Sequence, residues 1–455
     1  MDLDLIYVAY NSHKWIRGCF DSVRQSDYDL KKLHIYVLDN ASKDDTVKDL
    51  KEIKGEYGSE FGAFEIIESS DNLGFGRGNN EAFKKGTSKN VCFINIDTHV
   101  YEDTFKNLKK EIEESDDKTV LWEFRQLPYE HPKVYDVATG EVSWSSGAAF
   151  AIKRSVYEEM NGFDPRIFMY AEDVDLSFRL RAAGYRLKYV PSVSIDHYSY
   201  ADAGQIKPLQ YVNCVINNLL LRYRFGKSRD ILRWYVQFAS IMLHRSVYKG
   251  SKKQLIGAWM SHIKDIAGFR HYLVNGSNSY RYDNEWHFYG FDYEKIRNGA
   301  FYKNRRCRLS DNVTVILPEK ENNADSRLSY TVKKQTYPFI NIIYSDDYKK
   351  ALSLINDDYV CVVSENTLMF YDHIEVLMAA MQESVADAAY SDGVWTEDGT
   401  ITIESTCFLF KKDVLEKMAQ DAKGKVSSDR LADTDEIKKV CKKVIFVEKT
   451  TVLKG

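Results

Sequence analysis

Three carboxylates fall within four positions of the stretch MYAEDVDLSFRL, at Glu172, Asp173 and Asp175. An apolar-periodic run follows them and stops at Gly184, so they occupy the first turn of a predicted helix. Acidic residues are favoured there without any chemistry, because the helix dipole is positive at its N-terminus. A carboxylate in this position can also serve as a general base. The rest of the chain has to decide between these interpretations.

A further carboxylate, Asp97, ends the apolar strand VCFINIDT, and His197 ends the later strand LKYVPSVSIDH. Hard divalent cations prefer oxygen ligands, and Mg²⁺ typically takes one or two carboxylates together with phosphate oxygens. An imidazole suits Mn²⁺ better than Mg²⁺. Taken singly, each residue also fits a structural role, Asp97 as a helix cap and His197 as a packing residue.

The loop DNLGFGRGNN, residues 71–80, is rich in glycine and opens a helix. It fails the dinucleotide motif GxGxxG, since Gly76 is followed by Gly78 and the loop does not follow the first strand. It fits an ordinary strand-to-helix turn. A backbone-rich turn into a helix N-terminus can also bind phosphate, with Arg77 available to it.

Strand and helix signals alternate through residues 3–100, which is typical of parallel βαβ units. In open α/β sheets, ligands bind beyond the carboxyl ends of the strands. Three predicted strands end in polar residues, at Tyr10–Asn11, Asp39–Asn40 and Asn95–Asp97. We therefore expect the functional site at this edge of the sheet.

The chain has 455 residues, of which 44% are hydrophobic and 29% charged, and this fits a folded protein of one to three domains. A net charge of −4 argues against a nucleic-acid binder. No uncharged apolar run reaches about 18 residues, and no basic leader is present, so we expect neither a membrane-spanning helix nor a signal peptide. Seven scattered cysteines without a CxxC motif indicate reduced thiols and a cytoplasmic protein.

Residues 205–270 are predicted to be helical and carry twelve basic residues against Asp230 and Asp265, a net charge of +10 (12 − 2). Aromatic residues, among them Trp234 and Trp259, are interleaved with them. Such a segment fits an anionic membrane surface. It fits equally a helical subdomain packed on the rest of the protein. Nucleic acid is disfavoured because no recognised binding module accompanies the charge.

The pattern restarts after a predicted linker at 281–310. DDYVCVVSENT mirrors NVCFINIDT, and STCFLFKKDVLEKM mirrors SGAAFAIKRSVYEEM. In the second pair, Phe150 and Met160 match Phe408 and Met418 at equal spacing. We infer an internal repeat of the same α/β unit, shortened in its second copy.

The ordered motifs closely resemble the family 2 glycosyltransferases of the GT-A fold, especially the rhamnosyltransferase-like branch. They are AYN, LDNAS, NLGFGRGNN, NIDT, the long stretch from WSSGAAF to DVDLSFRL, and a strand ending in DH. The resemblance implies an α/β fold with a Rossmann-like mixed sheet flanked by helices. It predicts a catalytic domain at 1–204, a basic helical segment at 205–280, the linker, and a degenerate GT-A-like domain at 311–455.

The resemblance also implies a nucleotide-diphosphate sugar donor, an inverting displacement, and Mn²⁺ or Mg²⁺ as cofactor. Asn95 replaces the first aspartate of the family's DxD motif, and Ile96 replaces a common proline. Carried over position by position, the predicted residues are Tyr10, Asn11, Asp39, Asn72, Arg77, Asn95 and Asp97 for the nucleotide and diphosphate, Asp97 and His197 for the metal, Trp144, Ser146 and Gly147 for donor sugar and acceptor, and Asp173 with its neighbour Glu172 for the base. Asp175 is predicted to pair with Arg179 four residues later.

The second copy departs from this pattern. SENT replaces NIDT, with Glu365 at the aspartate-bearing triplet, and no histidine follows His373. We therefore expect a non-catalytic domain, and the sequence leaves open whether it binds acceptor glycan, forms a homodimer or supports the first domain.

The acceptor is expected to be a glycan, lipid-linked or protein-linked, met in the cytoplasm or at the inner face of the cell membrane. The alternative function is a non-catalytic protein that binds nucleotide sugar or glycan. A nucleotidyltransferase is disfavoured, because the first strand ends in AYNSHKW rather than in a glycine-rich basic loop.

Overall fold

The computed structural model describes thirteen ranges of the chain: residues 1–131, 135–202, 205–269, 302–308, 310–317, 327–345, 347–363, 367–391, 394–395, 401–402, 407–420, 434–447 and 452–454. Glu365 and most of the predicted linker lie outside these ranges. The chain divides into two compact units, residues 1–135 with 141–301 and residues 136–140 with 302–455. The predicted domain boundaries are not tested by this division and stay predictions.

The first unit is built on an eight-stranded mixed sheet of order β3-β2-β1-β4-β8-β6-β9-β5. Its first four strands are parallel, and β8 runs antiparallel to both β4 and β6. The strands of this unit are β1 Leu3–Ala9, β2 Leu33–Asp39, β3 Ala63–Glu68, β4 Asn90–Ile94, β5 Thr98–Val100, β6 Thr119–Leu127, β7 Tyr129–Glu130, β8 Ala149–Lys153 and β9 Arg186–His197.

The helices up to α6 alternate with these strands, and α7, α8 and α9 follow the last strand and pack on one another. They are α1 His13–Arg24, α2 Thr46–Tyr57, α3 Phe75–Phe83, α4 Thr104–Glu114, α5 Arg154–Glu159, α6 Glu172–Ala182, α7 Pro208–Phe225, α8 Ser228–Leu243 and α9 Ser251–Phe269, with short 3₁₀ turns at Leu30–Lys32 and Gly58–Glu60.

The central strand β1 explains the core of this unit. Its sequence LDLIYVA is almost continuously apolar, which is typical of a parallel strand covered on both faces. Tyr7 is fully buried and meets Phe20 of α1 edge to face, with ring centroids 5.2 Å apart. The carboxyl ends of β1, β2 and β4 therefore open at one edge of a rigid, packed sheet.

The basic segment is helical as predicted, and its described part belongs to the first unit. Helices α7, α8 and α9 share a small apolar core around Trp234 and Leu255, both buried. None of the helices in the described ranges has the length and apolar character needed to cross a membrane.

The second unit has a six-stranded sheet and a separate four-stranded one. Its strands are β10 Tyr302–Lys303, β11 Val313–Leu317, β12 Ile340–Tyr344, β13 Tyr359–Val363, β14 Thr367–Met369, β15 Ala388–Tyr390, β16 Val394–Trp395, β17 Ile401–Thr402, β18 Cys407–Lys411, β19 Val444–Phe446 and β20 Val452–Lys454. Its helices are α10 Arg327–Lys333, α11 Tyr348–Leu352, α12 His373–Ser384, α13 Lys412–Gln420 and α14 Thr434–Val440.

The predicted internal repeat is confirmed by strand order and register. The larger sheet of the second unit runs β12-β11-β13-β18-β15-β19, which matches β2-β1-β4-β8-β6-β9 in the first, with the same strand directions. Phe150 pairs with Phe93 in the first unit, and Phe408 pairs with Val362 at the equivalent place in the second. The predicted fold, a mixed α/β sheet with a smaller second copy, is thus confirmed.

Candidate active site

A cavity of about 390 Å³ opens at the carboxyl ends of β1, β2 and β4. The starts of α6 and α7 close its other side. Most of the residues predicted for the site line this single cleft: Tyr10, Asn11, Asn72, Asn95, Asp97, Trp144, Ser146, Gly147, Glu172, Asp173 and His197.

Two predicted residues lie outside the lining of the cleft. Asp39 is only 3% exposed; its Oδ2 accepts a hydrogen bond from the Ser42 amide at 3.1 Å, and its Oδ1 has no partner among the described residues. Its neighbour Asn40 lines the cleft instead and donates to Oδ1 of Asn72 at 3.0 Å. Arg77 is exposed and lines a separate depression of about 740 Å³.

The structure distinguishes the two candidate bases at the start of α6. The Asp173 carboxylate is partly exposed in the cleft, and its Oδ2 accepts a hydrogen bond from the Gly147 amide at 2.7 Å. A Cβ at Gly147 would lie 3.3 Å from that oxygen, so a glycine allows this close approach. Glu172 is 4% exposed, and burial together with the charge of Asp173 raises the pKa of its carboxyl well above the usual value. Asp173 is therefore the more accessible carboxylate, and Glu172 favours its protonated form.

The turn before α6 has an unusual backbone. Tyr170 and Ala171 both have positive φ, 69° and 75°. Residues with a Cβ are disfavoured in this left-handed region, at roughly 1 to 3 kcal/mol each. The carbonyl of Tyr170 accepts a hydrogen bond from the Asn217 side chain of α7 at 2.7 Å. A polar group on α7 thus contacts the turn that carries Glu172 and Asp173.

Asp175 is part of a fully buried ionic cluster. The predicted pair with Arg179 is confirmed at 2.8 Å. Arg224 of α7 bonds to Asp175 and to Asp164, in the latter case at 3.0 Å. All four of these side chains are at most 1% exposed. Removing one member would leave an uncompensated buried charge, so the cluster fixes α6 against α7.

Asp97 and His197 lie side by side in the lining of the cleft. His197 Nε2 lies 3.4 Å from Oδ1 of Asp97, and its Nδ1 lies 2.9 Å from Oε1 of Gln126. Because a glutamine oxygen only accepts, Nδ1 carries a proton, and Nε2 is the ring nitrogen that faces Asp97. Burial alone would raise the pKa of Asp97, but His197 and Lys207 hold it below the usual value.

This arrangement could hold a divalent cation whose ligands come partly from the protein and partly from a bound substrate. Metal-ligating histidines usually donate their second ring N–H to an oriented acceptor, and Gln126 is placed to accept such a bond from His197. In the part of the chain that the structure describes, no three His, Cys, Asp or Glu side chains form a group able to hold a metal ion. Diphosphate oxygens would complete the shell, as is typical of Mg²⁺ and related ions.

Lys207 was not predicted as a site residue, yet it lines the cleft beside Asp97. Its Nζ donates to Oγ of Ser199 at 2.9 Å and lies 4.4 Å from the ring centroid of Tyr200. Burial lowers the pKa of the ammonium, and the charge of Asp97 opposes that shift. In the sequence Lys207 is one of twelve basic residues in its segment, and nothing there sets it apart.

The family follows from comparison with known proteins. Residues 4–175 match the sequence model of glycosyl transferase family 2. These residues are a family 2 glycosyltransferase domain. Of the thirteen residues predicted for the site, only His197 lies outside this match, and the family expected from the sequence is confirmed for residues 4–175.

The matched relatives are rhamnosyltransferases. Over 64 residues the chain is 44% identical to an N-acetylglucosaminyl-diphospho-decaprenol L-rhamnosyltransferase of Mycobacterium tuberculosis, covering 14% of this chain and 21% of that protein. Over 61 residues it is 44% identical to rhamnosyltransferase WbbL of Escherichia coli, covering 13% and 23%. The matches support the rhamnosyltransferase-like branch, and they span between a fifth and a quarter of each relative's length.

Solved structures with a partly similar fold include a mannosyltransferase and a protein in complex with a nucleotide sugar. A mannosyltransferase from Pyrobaculum calidifontis in complex with GDP-Man and Mn²⁺ is 17% identical, with 62% of this chain and 88% of that chain covered at a TM-score of 0.41. S. aureus TarS 1–349 in complex with UDP-GlcNAc is 16% identical, with 58% and 82% covered at a TM-score of 0.39. At these scores the likeness is partial.

Proposed function

We propose that the first unit transfers a sugar, with inversion, from a nucleotide-diphosphate donor to an acceptor hydroxyl, and that Asp173 is the general base. The observation that carries this proposal is the single cleft that holds both Asp173 and the Asp97–His197 pair. An acceptor hydroxyl is a weak nucleophile, so a positioned carboxylate has to take its proton as the new bond forms. Asp173 meets that requirement because it is accessible and anchored by the Gly147 amide.

Glu172 acts differently in this proposal. Its carboxyl is buried beside Asp173, and its raised pKa favours the neutral form. A neutral neighbour spares Asp173 the repulsion of a second charge. Glu172 therefore shapes the surroundings of the base and does not itself accept the proton.

The proposal includes a Mn²⁺ or Mg²⁺ ion held by Asp97 and His197, with Asn95 beside them. A bound cation of this kind would neutralise the charge that develops on the departing diphosphate. The orientation of His197 by Gln126 supports this assignment. Asn95 lies 3.4 Å from His197 Nε2 through its Nδ2, and its buried Oδ1 has no partner among the described residues.

Lys207 is the protein's own cation for the diphosphate in this proposal. A preorganised positive charge aimed at a developing negative one is among the strongest catalytic devices in a partly buried site. Lys207 meets both conditions, since it is partly buried and lies in the cleft beside Asp97. Arg77 lines a different depression and is the weaker candidate for this role.

For the donor and acceptor we propose a hexosyl or deoxyhexosyl nucleotide sugar and a glycan carried on a lipid or protein. Matches to rhamnosyltransferases support a deoxyhexose, and one relative is named for a decaprenol-linked substrate. A panel of nucleotide sugars, screened with Mn²⁺ for thermal stabilisation, would identify the donor, because a ligand that binds only the folded state raises its stability. Sugar transfer that requires the cation would support the enzyme. Tight donor binding without transfer or hydrolysis would favour the alternative, a non-catalytic binding protein.

We also propose that the enzyme works at the cytoplasmic face of an anionic membrane, and helix α8 supports this. Leu232, Val236 and Leu243 are 64%, 63% and 85% exposed and lie on one face of the helix. Trp234 on the other side is buried in the small core. A surface helix of a globular protein normally turns polar residues outward, so a second apolar stripe indicates a partner.

Helix α9 carries a similar stripe. Ile256, Met260 and Ile263, spaced i, i+4 and i+7, are each exposed. Trp259 packs towards the core and lies 6.1 Å from Phe238 of α8, measured between ring centroids. The two stripes thus belong to one packed helical subdomain.

The positive charge of these helices indicates which kind of partner would cover the apolar stripes. Between residues 228 and 263 stand six basic residues and one acidic residue, the buried Asp230. A second copy of the same face would be repelled by this charge. An anionic bilayer would be attracted, by about 1 kcal/mol for each basic residue near its surface.

Vesicle flotation tests the membrane proposal. The protein should float with vesicles of phosphatidylcholine and phosphatidylglycerol at low salt and stay behind with pure phosphatidylcholine. The triple variant Leu232→Ser, Val236→Ser and Leu243→Ser should lose most of this binding. A matched control, Leu354→Ser at an equally exposed apolar position of the second unit, should keep it. Equal binding to neutral vesicles, or binding unaffected by the triple variant, would refute the proposal.

A further inference from the structure

Helix α7 lies beyond the residues matched by the family model, which end at 175. Three of its hydrogen bonds nevertheless end on the carbonyls of Met169 and Tyr170, just before Asp173. Gln210 and Cys214 line the cleft, and Asn217 donates a hydrogen bond to the backbone just before α6. These contacts indicate that α7 takes part in building the site.

Asn217 makes the central contact. Its Nδ2 donates to the carbonyl of Tyr170 at 2.7 Å and to the carbonyl of Met169 at 3.1 Å. Asn213, one turn earlier, donates to the Met169 carbonyl at 3.3 Å. Asn217 is buried, so these bonds are shielded from water. Water therefore does not readily replace a lost donor, and its loss costs free energy.

The backbone held in this way is the left-handed pair Tyr170 and Ala171. Neither residue is a glycine, and residues with a Cβ keep such a conformation only where the surroundings impose it. Helix α6 begins at the next residue, Glu172, and Asp173 follows. The direction in which Asp173 leaves the backbone is therefore set by this turn.

We infer that Asn217 is a positioning residue, which holds the Tyr170–Ala171 turn so that the Asp173 carboxylate points into the cleft. This inference rests on the proposed role of Asp173 as the base. Asn217 does not line the cleft and acts only through the turn. A misplacement of about 1 Å in a reacting group can lower a rate roughly 100-fold, which gives the scale of the effect.

The test compares Asn217→Leu with Asn218→Leu. Both asparagines are buried on α7, but Asn218 accepts from Nε of Arg222 at 2.6 Å, and its Nδ2 has no hydrogen-bond partner among the described residues. Each change removes a buried polar group from the same helix, so a general loss of stability should be similar. In assays well below the melting temperature of the variant, we expect Asn217→Leu to lower kcat roughly 10- to 100-fold and to leave the donor KM little changed. Asn218→Leu should keep kcat.

A second variant separates positioning from simple damage. Glycine adopts positive φ without the Cβ penalty, so Ala171→Gly should restore part of the kcat lost in Asn217→Leu. The same glycine should not help Asn218→Leu. Equal losses in the two leucine variants, or unchanged kcat in Asn217→Leu, would overturn the inference.

These outcomes are distinguishable from a failure of the proposed function. If Asp173→Asn keeps full transfer activity, the assignment of the base is wrong. If Asp173→Asn is inactive while Asn217→Leu is unaffected, the base stands and the positioning role alone fails.

Discussion

The two units have sheets of the same topology and differ in the residues at one edge of the sheet. Strand order, strand direction and the pairing at Phe150 and Phe408 are equivalent, so the buried centre of the repeat is the same in both copies. The edge that forms the cleft is not. In the first unit the strand β4 is followed by Asn-Ile-Asp at residues 95–97. The second unit has Ser-Glu-Asn at residues 364–366 and no histidine after His373.

This difference separates the requirements of folding from those of chemistry. A sheet core needs apolar side chains at the right period, and both copies supply them. A catalytic edge needs particular polar groups at particular strand ends, and one copy has lost them. We therefore propose that only the first unit catalyses transfer, and the following changes test that asymmetry.

The largest effect is expected at the base. Asp173→Asn keeps the size of the side chain but cannot accept the acceptor's proton, so kcat should fall roughly 100- to 10,000-fold. Initial-rate measurements with saturating donor would show it. The matched control is Asp435→Asn in α14, the helix that precedes β19 as α6 precedes β9. A similar loss in the control would break the proposed asymmetry between the units.

The second effect concerns the cation of the cleft. Lys207→Met should lower kcat/KM for the donor roughly 100-fold, because a positive charge aimed at the departing diphosphate is removed. Arg77→Met, outside the cleft, should lower it far less. If the arginine variant were the more damaged of the two, the diphosphate would lie elsewhere than the cleft geometry indicates.

A smaller effect is expected from the residue that orients His197. Gln126→Leu removes the acceptor for the Nδ1 proton, and loss of such an outer contact typically weakens metal affinity roughly 10- to 100-fold. Calorimetric titration of Mn²⁺ in the presence of a nucleoside diphosphate measures this without turnover. Glu365→Gln in the second unit should leave the affinity unchanged. An unaltered affinity in Gln126→Leu would remove the support for His197 as a ligand.

The smallest effect is on stability. Because the pKa of Glu172 is raised in the folded state, the protein loses stability as the pH rises from the ordinary carboxyl pKa through the raised one. Gln cannot ionise, so Glu172→Gln should raise the melting temperature of the first unit by about 2 to 4 °C at pH 8 for each kcal/mol relieved. The gain should vanish near pH 4, where the wild-type carboxyl is already protonated. A destabilised variant at pH 8 would show that Glu172 is ionised and favourably paired.

Much of the fold could be predicted because its signals are local. Apolar runs such as LDLIYVA and VCFINI indicate buried strands, and the repeat is visible as matched stretches. Most of the cleft also follows, because residues at the carboxyl ends of parallel strands have to meet at one edge. Asp39 and Arg77 show the limit of that reasoning. Both stand at the expected positions in the chain, yet neither lines the cleft.

The stretch MYAEDVDLSFRL marks the division between what sequence and tertiary structure decide. The sequence by itself determined that three carboxylates begin a helix and that one of them pairs with Arg179, since both depend only on spacing along the helix. Only the tertiary structure separated Glu172 from Asp173, because burial is set by what packs around a side chain. It also brought Lys207 into the cleft and Asn217 to the turn before α6, and both residues lie beyond the family match. Distance and burial are properties of the packed chain, and no local pattern encodes them.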